Sequence, residues 1–265
     1  MTFTQKYHLT GETRWLSNGV RLSRLIAARS FGSVKKGDRG GWVESPENLS
    51  HEGNCWIAGD AAVWGYATVG DDALVQDRAE VHGHCHIFGS ASVGDRADLA
   101  DRVYVYDSAV IGGFSRLRGH CVICQRGQVI CQRLEPGTSR AHIEGDAIIR
   151  GRALVCGRAW VRGFAVIEGE ARVCESARVW DNTLIWGSPV IRGGALIGDD
   201  AHIMGSACIE DAARVVGAAR VGGKTTLCGR SFVTGGAMLF SGETIRDEVI
   251  SGEGLRAAAL RRRAA

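Results

Sequence analysis

The chain has 265 residues, of which 45% are hydrophobic and 23% are charged, as is ordinary for a soluble protein. Its net charge of +3 is too small to indicate nucleic-acid binding, and no apolar run approaches the length of a transmembrane span. Residues 1–10 lack the apolar core of a signal peptide, so we expect a cytoplasmic protein without a nucleic-acid or membrane partner.

Residues 1–53 lack the periodicity that governs the rest of the chain. Alternating apolar residues predict strands at 7–9 and 20–28. We interpret this segment as a cap, because the open end of a β-solenoid exposes apolar core and unpaired backbone. A binding module is the alternative interpretation, indicated by the basic side chains of Arg21, Arg24, Arg29, Lys35 and Lys36.

A six-residue repeat occupies most of the remaining sequence. Every sixth residue is aliphatic from Ile57 to Val129, and again from Ile143 to Ile245. A small residue, usually Ala, stands two positions before each aliphatic residue, and Gly or Asp usually stands two positions after it. A period of six gives no helical face, whereas residues two apart in a strand point the same way. Each repeat therefore predicts one short strand, with the small and aliphatic side chains inward, and one bend at the Gly or Asp.

Three such repeats close one triangular coil, and successive coils stack as parallel strands about 4.8 Å apart. The sequence thus predicts an all-β protein, a triangular parallel β-helix of about ten coils. We divide the chain into a β-rich cap at 1–53, a β-helix at 54–246 and a cap or tail at 247–265. The residues at 255–265 are rich in helix formers and could close the carboxyl end.

The repeat is interrupted only between Val129 and Ile143, where the insertion at 130–140 contains Pro136 and Gly137 and predicts a loop. If two strands are counted within this gap, Ile143 lies on the same face of the β-helix as Ile123, and the faces continue in register across the insertion. Aromatic residues from before and after the insertion then lie on one face, which we expect to be a binding or self-association interface. Its candidate residues are Tyr104, Tyr106, Trp160, Arg162, Arg178 and Trp180. The most polar face carries Glu80, Asp98, Arg116, Arg118, Arg172 and Arg192.

Nine cysteines without an export signal predict thiols rather than disulfides. Cys55, Cys85 and Cys121 occupy the inward small-residue position and are predicted to be buried. Cys156 and Cys174 are predicted to stack on the outside of adjacent coils. We interpret them as surface thiols rather than a functional pair, because in-register parallel strands suit a disulfide poorly.

Segments such as VGDDAL (69–74), VGDRAD (93–98) and IGDDAH (197–202) resemble the hexapeptide repeat of left-handed parallel β-helix proteins. That trimeric LpxA-like superfamily includes lipid A-type acyltransferases. The segment at 37–61, followed at once by the repeats, resembles the enterobacterial YdcK family, which is functionally uncharacterised. The left-handed coil is what this resemblance implies, since periodicity alone leaves handedness open.

The segment from Gln76 to His82 resembles part of the zinc site of γ-class carbonic anhydrases, in which three His bind the metal. This chain departs from that pattern at the positions of the other ligands. Asp60 and Ala62 replace an earlier Arg-x-Asp, and Arg118 and Ile123 replace a later pair of His. We expect no zinc, with His82 as the metal candidate if a metal-dependent hydratase were built here.

Acyl transfer is the enzymatic alternative, and it needs a general base beside a slot for the acyl donor. His142, an outward residue directly after the insertion, is the candidate base for transfer from acyl-CoA. The GGKTT segment at 222–226 lacks the first glycine of a phosphate-binding loop and is interpreted as a plain corner.

The sequence favours a non-catalytic scaffold or binding protein that acts through flat faces and binds another protein or further copies of itself. We expect such a protein to need no cofactor. The alternatives are a hexapeptide-repeat acyltransferase that uses acyl-CoA and, less favoured, a metal-dependent hydratase. A catalytic site would require a His beside a cleft, whereas a scaffold requires only a flat apolar face.

Overall fold

The computed structural model describes residues 5–131 and 141–256. The chain forms two compact units, Met1–Glu144 (unit 1) and Gly145–Ala265 (unit 2). Within the described residues the only helix is one 3-10 turn at Pro46–Asn48. The prediction of an all-β parallel solenoid is confirmed in each unit, and the arrangement is consistent with a left-handed β-helix.

Most strands are two residues long and follow each other every six residues. In unit 1 the strands are Tyr7–Trp15, Arg21–Ala27, Arg39–Val43, Trp56–Ile57, Ala62–Val63, Thr68–Val69, Leu74–Val75, Glu80–Val81, His86–Ile87, Ser92–Val93, Asp98–Leu99, Tyr104–Val105, Val110–Gly113, Arg116–Leu117, Val122–Ile123, Gln128–Cys131 and His142–Ile143. In unit 2 they are Ile148–Ile149, Leu154–Cys156, Trp160–Val161, Val166–Ile167, Arg172–Val173, Arg178–Val179, Leu184–Ile185, Val190–Ile191, Leu196–Ile197, His202–Ile203, Cys208–Ile209, Arg214–Val215, Arg220–Val221, Thr226–Cys228, Phe232–Leu239, Thr244–Arg246 and Val249–Arg256.

Strands that lie one coil apart pair in parallel and in register. Val63 lies beside Val81 in unit 1, and Val161 lies beside Val179 in unit 2. The inward aliphatic residues and the small residues before them are almost completely buried, including the predicted core thiols Cys55, Cys85 and Cys121. The core is therefore a stack of aliphatic layers, each closed by the next coil.

The corners hold Gly, Asp or a few other polar residues with positive φ, as the repeat predicted. The aspartates have a second role that the repeat did not reveal. Asp95 Oδ2 accepts a hydrogen bond from the backbone N–H of Gly113, one coil further on, at 2.7 Å. Asp77 does the same for Asp95 N, and Asp211 does the same for Gly229 N. Each of these three aspartates thus accepts a hydrogen bond from a backbone N–H group at the corner one coil further on.

The amino-terminal segment covers the first coil. The three strands Tyr7–Trp15, Arg21–Ala27 and Arg39–Val43 are antiparallel, and the third pairs in parallel with Ala62–Val63. The fully buried Lys6 donates from Nζ to the carbonyl oxygens of Glu52 and Cys55 at 3.1 and 3.0 Å. These bonds satisfy buried carbonyl groups close to the start of the repeats.

Tight packing marks the passage from this cap to the repeats. A Cβ on Gly40 would lie 2.6 Å from the Trp56 ring, so only glycine fits there. Trp56, which its place in the repeat put on an outward face, is 5% exposed because the cap covers it. Arg24, one of the basic side chains that favoured a binding module, instead lies 4.8 Å from the Trp42 ring and pairs with Asp60.

The face assignment across the insertion was wrong in unit 1. Ile143 pairs with Leu117 and not with Ile123, so His142 follows Arg116 on the polar face. Residues 132–140 lie outside the described part of the chain. The single aromatic face joining Tyr104 with Trp160 depended on the count through this gap, and it therefore has no support.

The described part of the carboxyl-terminal segment is a strand. Val249–Arg256 pairs in parallel with Phe232–Leu239. The helix formers predicted to close this end begin at residue 255, and residues 257–265 lie outside the described part of the chain. No helix long and apolar enough to span a membrane occurs among the residues that the structure describes.

Candidate functional site

The polar face of unit 1 collects most of the chemistry that the sequence singled out. Glu80, Asp98, Arg116 and His142 follow one another in register on successive coils, each just before a buried aliphatic residue. His82 and Arg118 lie on the other side of the same aliphatic residues. The predicted grouping of Glu80, Asp98, Arg116 and Arg118 on one face is confirmed. Arg172 and Arg192 were placed on the same face by the count through the insertion, and that placement has no support.

Asp98 is the centre of this face. Its Oδ2 accepts a hydrogen bond from Arg118 at 2.7 Å and lies 3.4 Å from Arg116 Nε. Its Oδ1 faces His82 Nε2 at 3.7 Å, which is longer than a direct hydrogen bond. Three cationic or potentially cationic groups therefore surround one half-buried carboxylate.

This environment keeps Asp98 ionised. Burial by itself would raise the pKa of the carboxyl group, but His82 and the hydrogen bond from Arg118 outweigh it, and the pKa of Asp98 lies well below its usual value. Asp98 Oδ1 and Arg116 Nε are buried and have no hydrogen-bond partner among the described residues. Both atoms are covered by neighbouring side chains, so a ligand would contact the outer atoms of these residues.

The His82 ring is fixed by stacking. It lies flat against Trp64, with ring centroids 4.5 Å apart and an angle of 8° between the planes. Trp64 is itself only 8% exposed, so it provides a firm platform. Since Nε2 faces Asp98, a neutral His82 protonated at Nε2 leaves Nδ1 as the basic nitrogen.

A cavity of about 460 Å³ opens on the other side of Asp98. Its lining residues are Arg78, Glu80, Arg96, Ala97, Asp98, Phe114, Ser115 and Arg116. The lining carries three arginines and only two carboxylates, Glu80 and Asp98, and Asp98 is already paired with Arg118. The cavity therefore has an excess of positive charge. Arg96 also lies 5.7 Å from the Phe114 ring. This combination suits a ligand that carries phosphate or carboxylate groups.

His142, the base predicted for acyl transfer, lies on this face but away from the Asp98 cluster. Its Nδ1 is 4.0 Å from Glu144 Oε1. Three strand spacings separate its coil from that of His82, which is about 14 Å. The structure therefore places the two predicted histidines on one face without bringing them together.

His84 and His86, which follow His82 closely in the chain, point away from it around the corner. His84 stacks on Tyr66, whereas His86 stacks on Tyr104 with centroids 5.1 Å apart. Tyr104 and Tyr106 are 39% and 38% exposed. These rings form separate stacks, so they add no ligand to His82.

A second feature lies in unit 2, where Trp160, Arg162, Arg178 and Trp180 form the aromatic patch. Trp160 pairs in register with Arg178, and the Arg162 and Arg178 side chains lie 5.5 and 5.8 Å from its ring. Trp180 packs differently from Trp160. It lies over Gly198, where an added Cβ would come within 2.0 Å of the ring. A cavity of about 230 Å³ lies within the patch.

The structure brings no second histidine to His82 within the part of the chain that it describes. Glu210, Asp211 and Cys228 do bring three possible metal-ligand atoms within 4.8 Å of one another. Glu210, however, pairs with Arg192, and Asp211 accepts the hydrogen bond from Gly229 N. Both carboxylates are thus already engaged.

The GGKTT segment at 222–226 forms a corner with Gly223 at positive φ, and Thr225 is buried.

The sequence placed Asp98, Arg116 and Arg118 on one polar face but treated His82 separately, and so it missed the cluster that the four residues form. The signal was available in the length of one coil, eighteen residues, since Asp98 follows His82 by nearly that distance. Phe114 and Arg96 were missed because a cavity depends on how side chains pack between coils.

Comparisons with known proteins give one partial relative. Over 66 residues the chain is 36% identical to the uncharacterized acetyltransferase YdcK of Escherichia coli (strain K12). The matched stretch covers 22% of this chain and 20% of that protein, so the chain spans about a fifth of the relative that it matches. No protein-family pattern matches the chain.

Proposed function

We propose that the polar face of unit 1 transfers an acyl group from an acyl-CoA thioester to an amine or hydroxyl acceptor. The observation that carries the proposal is the pairing of His82 with the ionised Asp98 beside a positively charged cavity. The similarity to a protein described as an acetyltransferase supports the same class of reaction, as does the resemblance to hexapeptide-repeat acyltransferases. A YdcK-like role for the whole chain is part of this proposal.

The donor would lie in the cavity with its phosphate groups on Arg78, Arg96 and Arg116. Arginine suits this task because its planar guanidinium group binds phosphate through two parallel hydrogen bonds. Glu80 and His82 are separated along their strand by about 7 Å, so a donor in the cavity reaches the histidine across the face.

In the reaction, Nδ1 of His82 removes a proton as the acceptor attacks the thioester carbonyl carbon. The carbon–sulfur bond then breaks, and the imidazolium returns its proton to the departing thiolate. Asp98 stabilises the imidazolium form of His82 between the two steps. The sum is one acylated acceptor and one free thiol, without any oxidant or metal.

His82→Gln tests this assignment. We expect the variant to bind coenzyme A with unchanged affinity by calorimetry but to transfer radiolabelled acetyl groups at least about a hundredfold more slowly. His202→Gln, in an outward strand position of unit 2, is the matched control. Unchanged transfer by the His82 variant would refute the assignment, and wild-type protein without any affinity for coenzyme A would refute the choice of donor.

A second candidate function is the scaffold or binding role that the sequence favoured. The specific observation behind it is the pair of arginines at the half-buried Trp160 ring, since Trp and Arg are the residues that most often anchor interfaces. It ranks second because the polar face supplies both a histidine and a concave site. A protein partner, self-association and the absence of a cofactor remain predictions under this alternative.

A further inference from the structure

Two cysteines in unit 2 lie side by side on adjacent coils. Val155 pairs in register with Val173, both fully buried, so the next residues, Cys156 and Cys174, are neighbours on the outside. Each thiol is half-buried. Parallel neighbours are about 4.8 Å apart along the solenoid, and this spacing holds the two sulfur atoms close together.

The pair differs chemically from the other cysteines with altered acidity. The hydrogen bond with Cys156, helped by the positive charge of Arg172, outweighs burial and lowers the pKa of Cys174 to about 7. Burial instead raises the pKa of Cys85 to about 11 and also raises that of Cys208. The Cys174 thiol is therefore more acidic than an ordinary cysteine.

The geometry disfavours a disulfide but fits a soft cation. A disulfide needs Cβ atoms about 3.8 Å apart and sulfur atoms about 2.05 Å apart, closer than parallel strands at about 4.8 Å present them. Two metal–thiolate bonds of about 2.3 Å, placed end to end, reach about 4.6 Å. Zinc prefers four ligands, and this pair supplies two.

We propose that Cys156 and Cys174 form a two-thiolate site for a soft monovalent cation, Cu(I). Thiolate ligands select this ion over harder cations. Binding of Cu(I) leaves both sulfur atoms as thiolates, so it releases the protons that the two thiols still carry. The resulting bis-thiolate complex carries one negative charge, which the Arg172 side chain beside Cys174 offsets. This site is independent of the acyl-transfer proposal, since it uses no residue of the polar face.

The test is an anaerobic titration of the reduced full-length protein with Cu(I), in competition with a bathocuproine disulfonate chelator. We expect one tightly bound equivalent in the wild type, and at least about tenfold weaker binding in Cys156→Ser and in Cys174→Ser. Cys208→Ser is the matched control, because Cys208 is also half-buried in unit 2, but its in-register neighbours are Val190 and Thr226 and its sulfur lies 3.7 Å from Glu210.

Thermal melts of the apoproteins separate loss of binding from loss of folding, and the serine variants should melt like the wild type. A wild type without a tightly bound equivalent would overturn the proposal, as would equal binding by the Cys156→Ser/Cys174→Ser double variant. So would quantitative formation of a disulfide between the two residues in air, since that would disprove the spacing argument. Arg172→Gln, which keeps both sulfur atoms, should weaken binding and raise the pH at which half the sites are filled.

Discussion

His82 Nε2 and Asp98 Oδ1 face each other at 3.7 Å across adjacent coils of unit 1. His82 is an outward residue that follows the buried Val81, and Asp98 is an outward residue that precedes the buried Leu99. Only the stacking of their two coils brings them together. This relationship joins a histidine that resembled a metal ligand to a carboxylate that the sequence treated as part of a polar surface.

Asp98→Asn should lower the free energy of unfolding and remove the part of its pH dependence that comes from Asp98. Removing the charge leaves Arg116 and Arg118 without their shared anion, which costs about 1–3 kcal/mol at neutral pH. The folded-state pKa of Asp98 lies below the unfolded value of about 3.9, so its stabilisation is complete above that value and is lost as pH falls towards the folded pKa.

The measurement is urea unfolding of both proteins between pH 2 and pH 7. The stability difference between them should be largest at neutral pH and shrink in acid. A difference that stays constant with pH would show that Asp98 acts through packing and not through its charge.

Ile167→Asp should prevent cooperative folding of unit 2. Ile167 is fully buried and pairs in register with Ile185, so the new carboxylate would have no water and no cation. We expect a loss of more than about 4 kcal/mol in the free energy of unfolding. Val166→Asp, the same change on the outward neighbour, is the control and should still melt cooperatively. Wild-type melting of the Ile167 variant would disprove the register.

Asp95→Ala tests the acidic corners. Asp95 has φ of 56° and accepts the hydrogen bond from Gly113 N, and alanine loses both the tolerance for this backbone conformation and the acceptor. We expect a loss of about 1–3 kcal/mol by chemical denaturation. Asp95→Asn keeps an acceptor oxygen and a side chain suited to positive φ, so it should lose much less. Equal losses in the two variants would argue against the corner bond.

Trp160→Ala should leave the melting of unit 2 almost unchanged but weaken any self-association or partner binding. The stacking of the half-buried Trp160 ring with Arg162 and Arg178 contributes only about 1 kcal/mol to stability, because the buried valines already hold the coils. Trp180→Ala, in contrast, uncovers Gly198 and should lower the melting temperature. Light scattering at several concentrations is the measurement, and an unchanged mass and partner set for Trp160→Ala would remove the binding role.

The sequence by itself determined the solenoid. Side chains alternate between the two faces of a strand, so Ala61 and Val63 of one six-residue repeat point inward together. Gly65, two residues further on, is then left to form the bend. All three residues behave as that pattern requires, with the first two buried and the third at positive φ. Local periodicity was sufficient here because each coil contacts mainly its neighbours.

The tertiary structure decided what local periodicity could not express. Ile143 could continue the face of Leu117 or that of Ile123, and the choice depended on how the chain crosses an insertion that has no repeat. Trp56 is buried because a cap with no period folds over it. The cluster around Asp98 likewise exists only once coils stack, since its members come from different coils and are joined by spacing and charge rather than by a motif.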